Sequence, residues 1–436
     1  MSSGLQSDPA HDPARLYCTG SIAPIPFVHS SCLEDFRVEE LPEGQPEAGQ
    51  EDWTHVWFEI EKRGLSTAQA VGRVARALGR EAREVGYAGR KDAMGVTRQF
   101  LSLEHVDAAA VQGLELKDLR VLATGRRSRK LRVGELAGNR FDLTLRDLPP
   151  ERHEDLERAL SQLSREGLPN FYGPQRFGAG GVTRRLGNLL VRGDWRGYLR
   201  AFVHSHQGPG EVREPSPVAS LLMALDSDQR KDWRAARSLS ADLPASLVPL
   251  AKQMARRPLD LASLVRTLPR RTKALHVSAL QAAVFNRVLG QRMIEPGGAR
   301  RVLPGDLLVD PWTGEGMPAP EGDGAAEAQV QSDLLRRVPS GPLPGPAAQR
   351  TRGTVAEWER EALAQADLDL EALASLPGAL APKGARRALL VGPRDVTWEA
   401  EGAVVRLRFT LPPGAYATVL LEELGKPAGV SQSETQ

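Results

Sequence analysis

The sequence predicts an α+β fold, and three observations carry it. Segments with period-two apolar alternation occur near both ends of the chain, amphipathic helical stretches lie between them, and 436 residues can bury a large core spread over two domains. In HVWFEIEK, Val56, Phe58 and Ile60 alternate with Trp57, Glu59 and Glu61, the period of a half-buried strand. A helix follows: Ser66 or Thr67 can cap it, Val71, Val74, Ala75 and Leu78 share one face, and Gly79 can end it. The next strand is predicted at RFDLTLR, where Phe141, Leu143 and Leu145 point one way. A helix after Pro150 carries Leu156, Ala159, Leu160 and Leu163 on one face and stops at Gly167. From about Asp194 to Arg386 the helical signals are interrupted. Two Pro/Gly-rich runs, at 295–324 and 338–349, have the composition of a linker or of loops in a small accessory domain. One clearer helix lies at HVSALQAAVFNRVLGQRM. The segment AVVRLRFTL then returns to alternation, with Val405, Leu407, Phe409 and Leu411 opposite Arg406, Arg408 and Thr410.

Composition sets outer bounds. A net charge of +2 and a pI near 8.6 do not announce a nucleic-acid binder, but Arg126, Arg127, Arg129, Lys130 and Arg132 crowd the short segment RRSRKLR, enough to neutralise several phosphates. Cys18 and Cys32 lack C-x-x-C spacing, which excludes a disulfide scaffold and fits a reducing cytoplasm. His204 and His206 form the closest histidine pair and have no further ligands, so no metal is expected. The N-terminus lacks the apolar stretch of a secretory signal, and nowhere do eighteen apolar residues run together. The expectation is a soluble monomer, without membrane contact, whose residues 1–25 form a flexible tail.

Two stretches carry chemistry. The first, YAGRKDAMGVTRQF from Tyr87 to Phe100, places a lone acid, Asp92, among cations. A carboxylate that approaches a nucleic acid needs such cations to offset phosphate repulsion, and Arg90, Lys91 and Arg98 could supply them. Gly89 and Gly95 bracket the acid, giving a tight turn and a close approach for substrate. The second, GLPNFYGPQRFG from Gly167 to Gly178, sets Asn170, Phe171, Tyr172, Gln175 and Arg176 between glycines. An extruded RNA base requires that inventory: a π face to stack on, amides for its polar edge and a cation for phosphate. Either stretch alone also fits an ordinary turn.

Together with three further blocks they resemble the TruD family of pseudouridine synthases, which act at uridine 13 of tRNA. The resemblance runs from about Ser31 to about Leu424. F-x-V-x-E appears as Phe36, Val38 and Glu40. A-G-x-K-D appears as Ala88, Gly89, Lys91 and Asp92, and G-x-L-x-G-N-x-F as Gly134, Leu136, Gly138, Asn139 and Phe141. Next comes the block from Pro169 to Gly178, and LPPGAYAT from Leu411 to Thr418 closes the series. The resemblance implies a catalytic domain at 26–195 and 386–436, built on a mixed, mostly antiparallel sheet flanked by helices. A smaller α/β domain at 196–385 would interrupt it.

The same resemblance implies the chemistry: uridine in tRNA is flipped out and isomerised to its C-glycoside, a redox-neutral change that needs no cofactor. Asp92 would be the catalytic carboxylate, either a nucleophile or a base at the sugar's 2′ carbon. Phe36, Asn170, Tyr172 and Tyr416 would line the uracil pocket, with Glu40, Lys91 and Gln175 contacting substrate and Arg176 joining the basic segment on RNA. Three departures stand out. Phe171–Tyr172 reverses the usual tyrosine–phenylalanine order, Tyr416 replaces a phenylalanine, and Ser30 stands where a lysine is usual. A non-catalytic RNA-binding protein that retains the pocket is the alternative. An N-glycosidase, which would release free uracil, is a more distant one.

Overall fold

The computed structural model describes residues 17–43, 53–206 and 216–426. The first eight strands are β1 (Val28–His29), β2 (Phe36–Pro42), β3 (His55–Arg63), β4 (Gly86–Tyr87), β5 (Val96–Glu104), β6 (Glu115–Leu116), β7 (Leu119–Arg127) and β8 (Leu136–Arg146). After β9 (Leu168–Pro169) come β10 (Leu307–Val309), β11 (Gly316–Pro318), β12 (Val338–Leu343) and β13 (Ala385–Ala388). The last three are β14 (Leu390–Val391), β15 (Arg394–Glu401) and β16 (Val404–Leu411).

The predicted alternation becomes one 10-stranded sheet, ordered β15-β16-β8-β2-β5-β3-β7-β6, with β1 on β8 and β4 on β5. Its ladders are antiparallel except β2 with β5, which is parallel, so the sheet is mixed and mostly antiparallel as expected. Period two puts Phe141, Leu143 and Leu145 of β8 and Val405, Leu407 and Phe409 of β16 on one buried face. Against them pack Leu156, Ala159, Leu160 and Leu163 of the helix His153–Glu166, which stops at Gly167. Val56, Phe58 and Ile60 of β3 bury against Val71 and Val74 of the helix Thr67–Ala77. That helix starts on a capping box, with the Ser66 hydroxyl accepting from the Gln69 amide.

A second apolar cluster lies among the helices Val182–Val191, Trp195–His204, Pro217–Asp226, Val248–Arg256 and Leu261–Thr267. The helix Arg270–Ile294 is buried on both sides. Ala279, Ala282, Phe285 and Leu289 join the first cluster, while Val277, Leu280, Val284 and Val288 join the second.

Two expectations meet a different outcome. Residues 1–16 lie outside the described residues, but the chain is already packed before residue 26: Ile22 and Ile25 are buried, and the Thr19 hydroxyl donates to the Glu423 carbonyl oxygen at 2.6 Å. A flexible tail therefore cannot extend to residue 25. The Pro/Gly-rich stretch at 338–349 is no linker either. It contains β12, buried and central in a four-stranded sheet ordered β11-β10-β12-β13. Gly341 makes this possible, because a side chain there would sit 2.8 Å from the ring of Phe285. Among the described residues, no helix is long and apolar enough to cross a membrane.

Phe409 stacks on Phe141 with ring centroids 5.2 Å apart and is fully buried. Phe409→Ala is expected to cost about 3–5 kcal/mol, from lost transfer free energy and the cavity left behind. Urea denaturation reads it; a loss under about 1 kcal/mol would mean that the core collapses around the gap.

Candidate active site

The loop between β4 and β5 presents Asp92 to solvent, and the polar network under it explains how. Lys91 turns inward. Its ammonium donates to Glu40 Oε2 at 2.8 Å and to Asn139 Oδ1 at 2.6 Å, with all three residues buried. Glu40 and Asn139 face each other in the β2–β8 ladder, and Glu40 Oε1 also accepts from the Phe100 amide at 3.1 Å. The Lys91 backbone is held from the other side, where its N–H donates to Thr67 Oγ1 at 2.8 Å and its carbonyl accepts from the Thr67 amide at 3.2 Å. Both bracketing glycines are steric requirements of this packing. A Cβ on Gly89 would lie 2.9 Å from both Glu40 Oε2 and Lys91 Nζ. Gly95 has φ +147, and a Cβ there would strike the Phe36 carbonyl at 2.3 Å. That contact fixes Phe36, whose ring meets Phe141 edge-on at 6.3 Å, beside the loop.

The second group of candidate residues lies on the segment after β9. Pairing of β9 with β14 and the hydrogen bond from the Asn170 amide to the Leu389 carbonyl (2.8 Å) bring it against the chain after β13. Asn170 Nδ2 donates to the Ala388 carbonyl at 2.9 Å, while Arg387 donates to the Asn170 carbonyl and side-chain oxygens and to the Gly414 carbonyl (2.9 Å). Arg387 thereby lies over the Tyr172 ring, 4.2 Å from its centroid, and Arg176 approaches the same ring at 5.6 Å. Tyr172 meets Phe285 and Tyr416 edge-on at 5.7 and 6.0 Å. Asn286 clamps the Tyr172 backbone from the long helix, accepting from its N–H at 2.9 Å and donating to its carbonyl at 3.0 Å.

Burial pushes the Tyr416 phenol pKa up; the nearby charges of Arg176 and Arg387 oppose that shift, and those of Tyr172 and Asp92 reinforce it. Asp92, Tyr172, Arg176, Arg387 and Tyr416 thus share one electrostatic neighbourhood. Gln175 is exposed at its edge, 3.4 Å from Thr418 Oγ1.

The chain that carries this geometry matches a known kind of enzyme. Residues 21–424 match the family described as tRNA pseudouridine synthase D (TruD). A tRNA pseudouridine synthase D from Geobacter sulfurreducens is 36% identical over 404 residues, covering 91% of this chain and 93% of the relative. One from Geotalea daltonii is 34% identical over 412 residues, covering 94% and 99%. The chain belongs to the TruD family. It is accordingly an isomerase that forms pseudouridine in tRNA. A crystal structure assigned to TruD from Methanosarcina mazei superposes with a TM-score of 0.69 at 25% identity, covering 95% of this chain and 96% of that one.

Against this TruD framework the sequence-derived residues divide. Asp92, Phe36, Asn170, Tyr172, Arg176, Gln175 and Tyr416 converge on one region. Glu40 and Lys91 lie beneath it, bonded to each other rather than open to substrate. The basic segment forms the end of β7 and the turn into β8, and much of its donor capacity is occupied. Arg126 donates to the Trp53 carbonyl at 3.0 Å, Lys130 to the Arg83 carbonyl at 2.9 Å, and Arg129 pairs with Glu135 at 2.5 Å. Arg127 lies over Trp57 at 5.7 Å. Arg129 and Arg132 are exposed. Arg387, Asn286 and Lys62 were not singled out from sequence, although an asparagine within the apolar run AVFNRVL and a lysine in the apolar register of β3 are visible signals.

If Lys91 supports the loop rather than RNA, Lys91→Met strands the Glu40 charge and costs about 3–5 kcal/mol in urea denaturation. Lys91→Met/Glu40→Leu should then recover most of that loss. A direct phosphate contact would instead leave stability unchanged and weaken RNA binding with a smaller salt dependence.

Proposed function

We propose that this TruD enzyme acts at uridine 13 of tRNA with Asp92 as its catalytic carboxylate. One observation carries the reading: Asp92 is an exposed acid on a loop anchored by buried polar groups, and its charge reaches Tyr416, whose ring meets that of Tyr172. Isomerisation breaks the bond from uracil N1 to ribose C1′, turns the base within the pocket and joins C5 to C1′. The C5 proton is lost and N1 regains one, so the atoms balance without a redox partner. Asp92 suits attack on the sugar or on the uracil, or proton removal at C2′.

Flipping the uridine costs a few kcal/mol in unstacking. Stacking on Tyr172 offsets part of that cost, with its backbone clamped by Asn286 and its ring held by the guanidinium groups of Arg387 and Arg176. Among the described residues neither tyrosine hydroxyl has a hydrogen-bond partner, which leaves both for the polar edge of the uracil. The exposed Arg90, Arg129 and Arg132 suit phosphates flanking the flipped nucleotide, with Arg126, Arg127 and Lys130 shaping that edge. In this reading 26–195 and 386–436 form the catalytic domain and 196–385 the insertion. The assignment as a cytoplasmic monomer rests on sequence.

The test maps pseudouridine at single-nucleotide resolution in unmodified tRNA transcripts. Wild type is expected to convert uridine 13. Asp92→Ala should lose at least about a thousandfold in turnover, as when a transition-state group is removed, while binding RNA within about threefold. Conversion at another position overturns the target, and an active Asp92→Ala variant overturns the role of Asp92.

A further inference from the structure

The apolar register of β3 ends on a cation. Lys62 follows Val56, Phe58 and Ile60 on the buried face and has 0% exposure. An ammonium offers three donors and no acceptor. Lys62 directs them at three backbone carbonyls: Leu65 in a short contact, Asp92 at 3.0 Å and Lys91 at 3.5 Å. Opposite Lys62 in the ladders stand Thr97 of β5 and Leu119 of β7, neither of them charged. The charged groups facing it are Lys91 and Asp92 of the catalytic loop. No carboxylate lies within salt-bridge distance of it among the described residues, in contrast to Lys91 with Glu40.

We propose that Lys62 is a positioning residue, whose buried ammonium locks the carbonyls of residues 91 and 92 and so fixes the direction in which the Asp92 carboxylate projects. The proposal rests on the reading of Asp92 as the catalytic group. A neutral amine keeps two donors for three carbonyls, so the lock is complete only in the charged form. Burial lowers the Lys62 pKa from 10.5 to about 8; the charge of Asp92 opposes this shift and that of Lys91 adds to it. The sign follows directly. The lock is intact below pH 8 and weakens as pH rises through it. Global stability moves the other way: between pH 8 and 10.5 the unfolded chain holds a proton that the folded chain has released, so folding becomes relatively more favourable. A lock that loosens while the fold gains stability separates positioning from general unfolding.

The test uses the full chain as wild type, Lys62→Met and Lys62→Arg. It measures single-turnover pseudouridine formation on unmodified tRNA transcripts at saturating enzyme, RNA affinity, and hydrogen-exchange protection of residues 91–95 from pH 6.5 to 9.5. In Lys62→Met the rate should fall by about a hundredfold, the scale of a misplaced reacting group, with RNA affinity within about twofold and protection of the loop lost. In wild type, protection of these amides should decline as pH passes about 8; in Lys62→Arg, which keeps its charge throughout, that decline should be absent. A Lys62→Met variant with wild-type rate and protection overturns the proposal, as does a loss confined to RNA affinity. If neither variant folds, wild-type protection that is flat across pH 8 overturns it. Should Asp92→Ala remain active while Lys62→Met still loosens the loop, the role of Asp92 fails and the lock stands.

Discussion

On the proposed reading, an exposed carboxylate that acts on RNA needs a backbone that does not yield when the anion arrives, and the loop carrying Asp92 is anchored by buried polar groups. The loop carrying Asp92 has little apolar side chain to bury: two alanines, two glycines, and a Met94 that is 71% exposed. Packing therefore cannot hold it. Two lysines do, one by its side chain reaching Glu40 and Asn139, the other by reaching the loop's own carbonyls. The acceptors for Lys91 sit on β2 and β8, and Lys62 itself is on β3, with the loop continuing into β5. These four strands are contiguous in one sheet, in the order β8-β2-β5-β3. Sheet register thus sets the position of the carboxylate, and that is a function of a scaffold that side-chain chemistry alone could not replace.

The second wall of the site depends on a different element. Tyr172 is held by Asn286, and Asn286 stands on a helix whose two faces serve both apolar clusters. A shift of that helix by one packing ridge would carry Asn286 away from the Tyr172 backbone and leave a buried amide unpaired, at a cost of about 1–3 kcal/mol. Tight packing against Gly341 opposes such a shift, because Phe285 fills the space a side chain would need. The segment between the helix and β13 contributes to the pocket indirectly, by fixing the helix that fixes the aromatic ring.

Local signals in the sequence reached the elements that bury one face on their own account. The alternation in β3, β8 and β16 and the capping box at Ser66 survive in the fold because neighbours agree with them. The N-terminal segment and β12 misled for the same physical reason in reverse. Thr19 is ordered by Glu423, some four hundred positions away, and Pro339 and Gly341 form a strand because a helix lies across them; composition carries neither fact. At the candidate site, Asp92, Asn170, Tyr172 and Arg176 could be singled out because each sits in a short block with a chemical inventory, and Tyr416 through the family resemblance; the rings of Tyr172 and Tyr416 do meet. Lys91 and Glu40 were legible as residues but not as a pair, since only the ladder placing Glu40 opposite Asn139 brings the three together. Arg387 is 217 positions from Asn170 and could not be paired with it from spacing.

The same geometry bears on Ser30, where the family resemblance leads one to expect a lysine. Ser30 adopts φ +62 and its hydroxyl lies 3.0 Å from Nδ1 of His29, so no cation reaches the site from that position. Positive charge is nonetheless present at three other positions: Lys62 under the loop, and Arg176 and Arg387 against Tyr172. These cations are buried or stacked, and each is held by hydrogen bonds before RNA arrives. A flexible exposed lysine would lose rotamer freedom on binding, about 1.5–2 kcal/mol, whereas preset groups have lost it already on folding. A stacked guanidinium also keeps its charge at any pH the enzyme meets, while its π contact orients the ring on which uracil would lie.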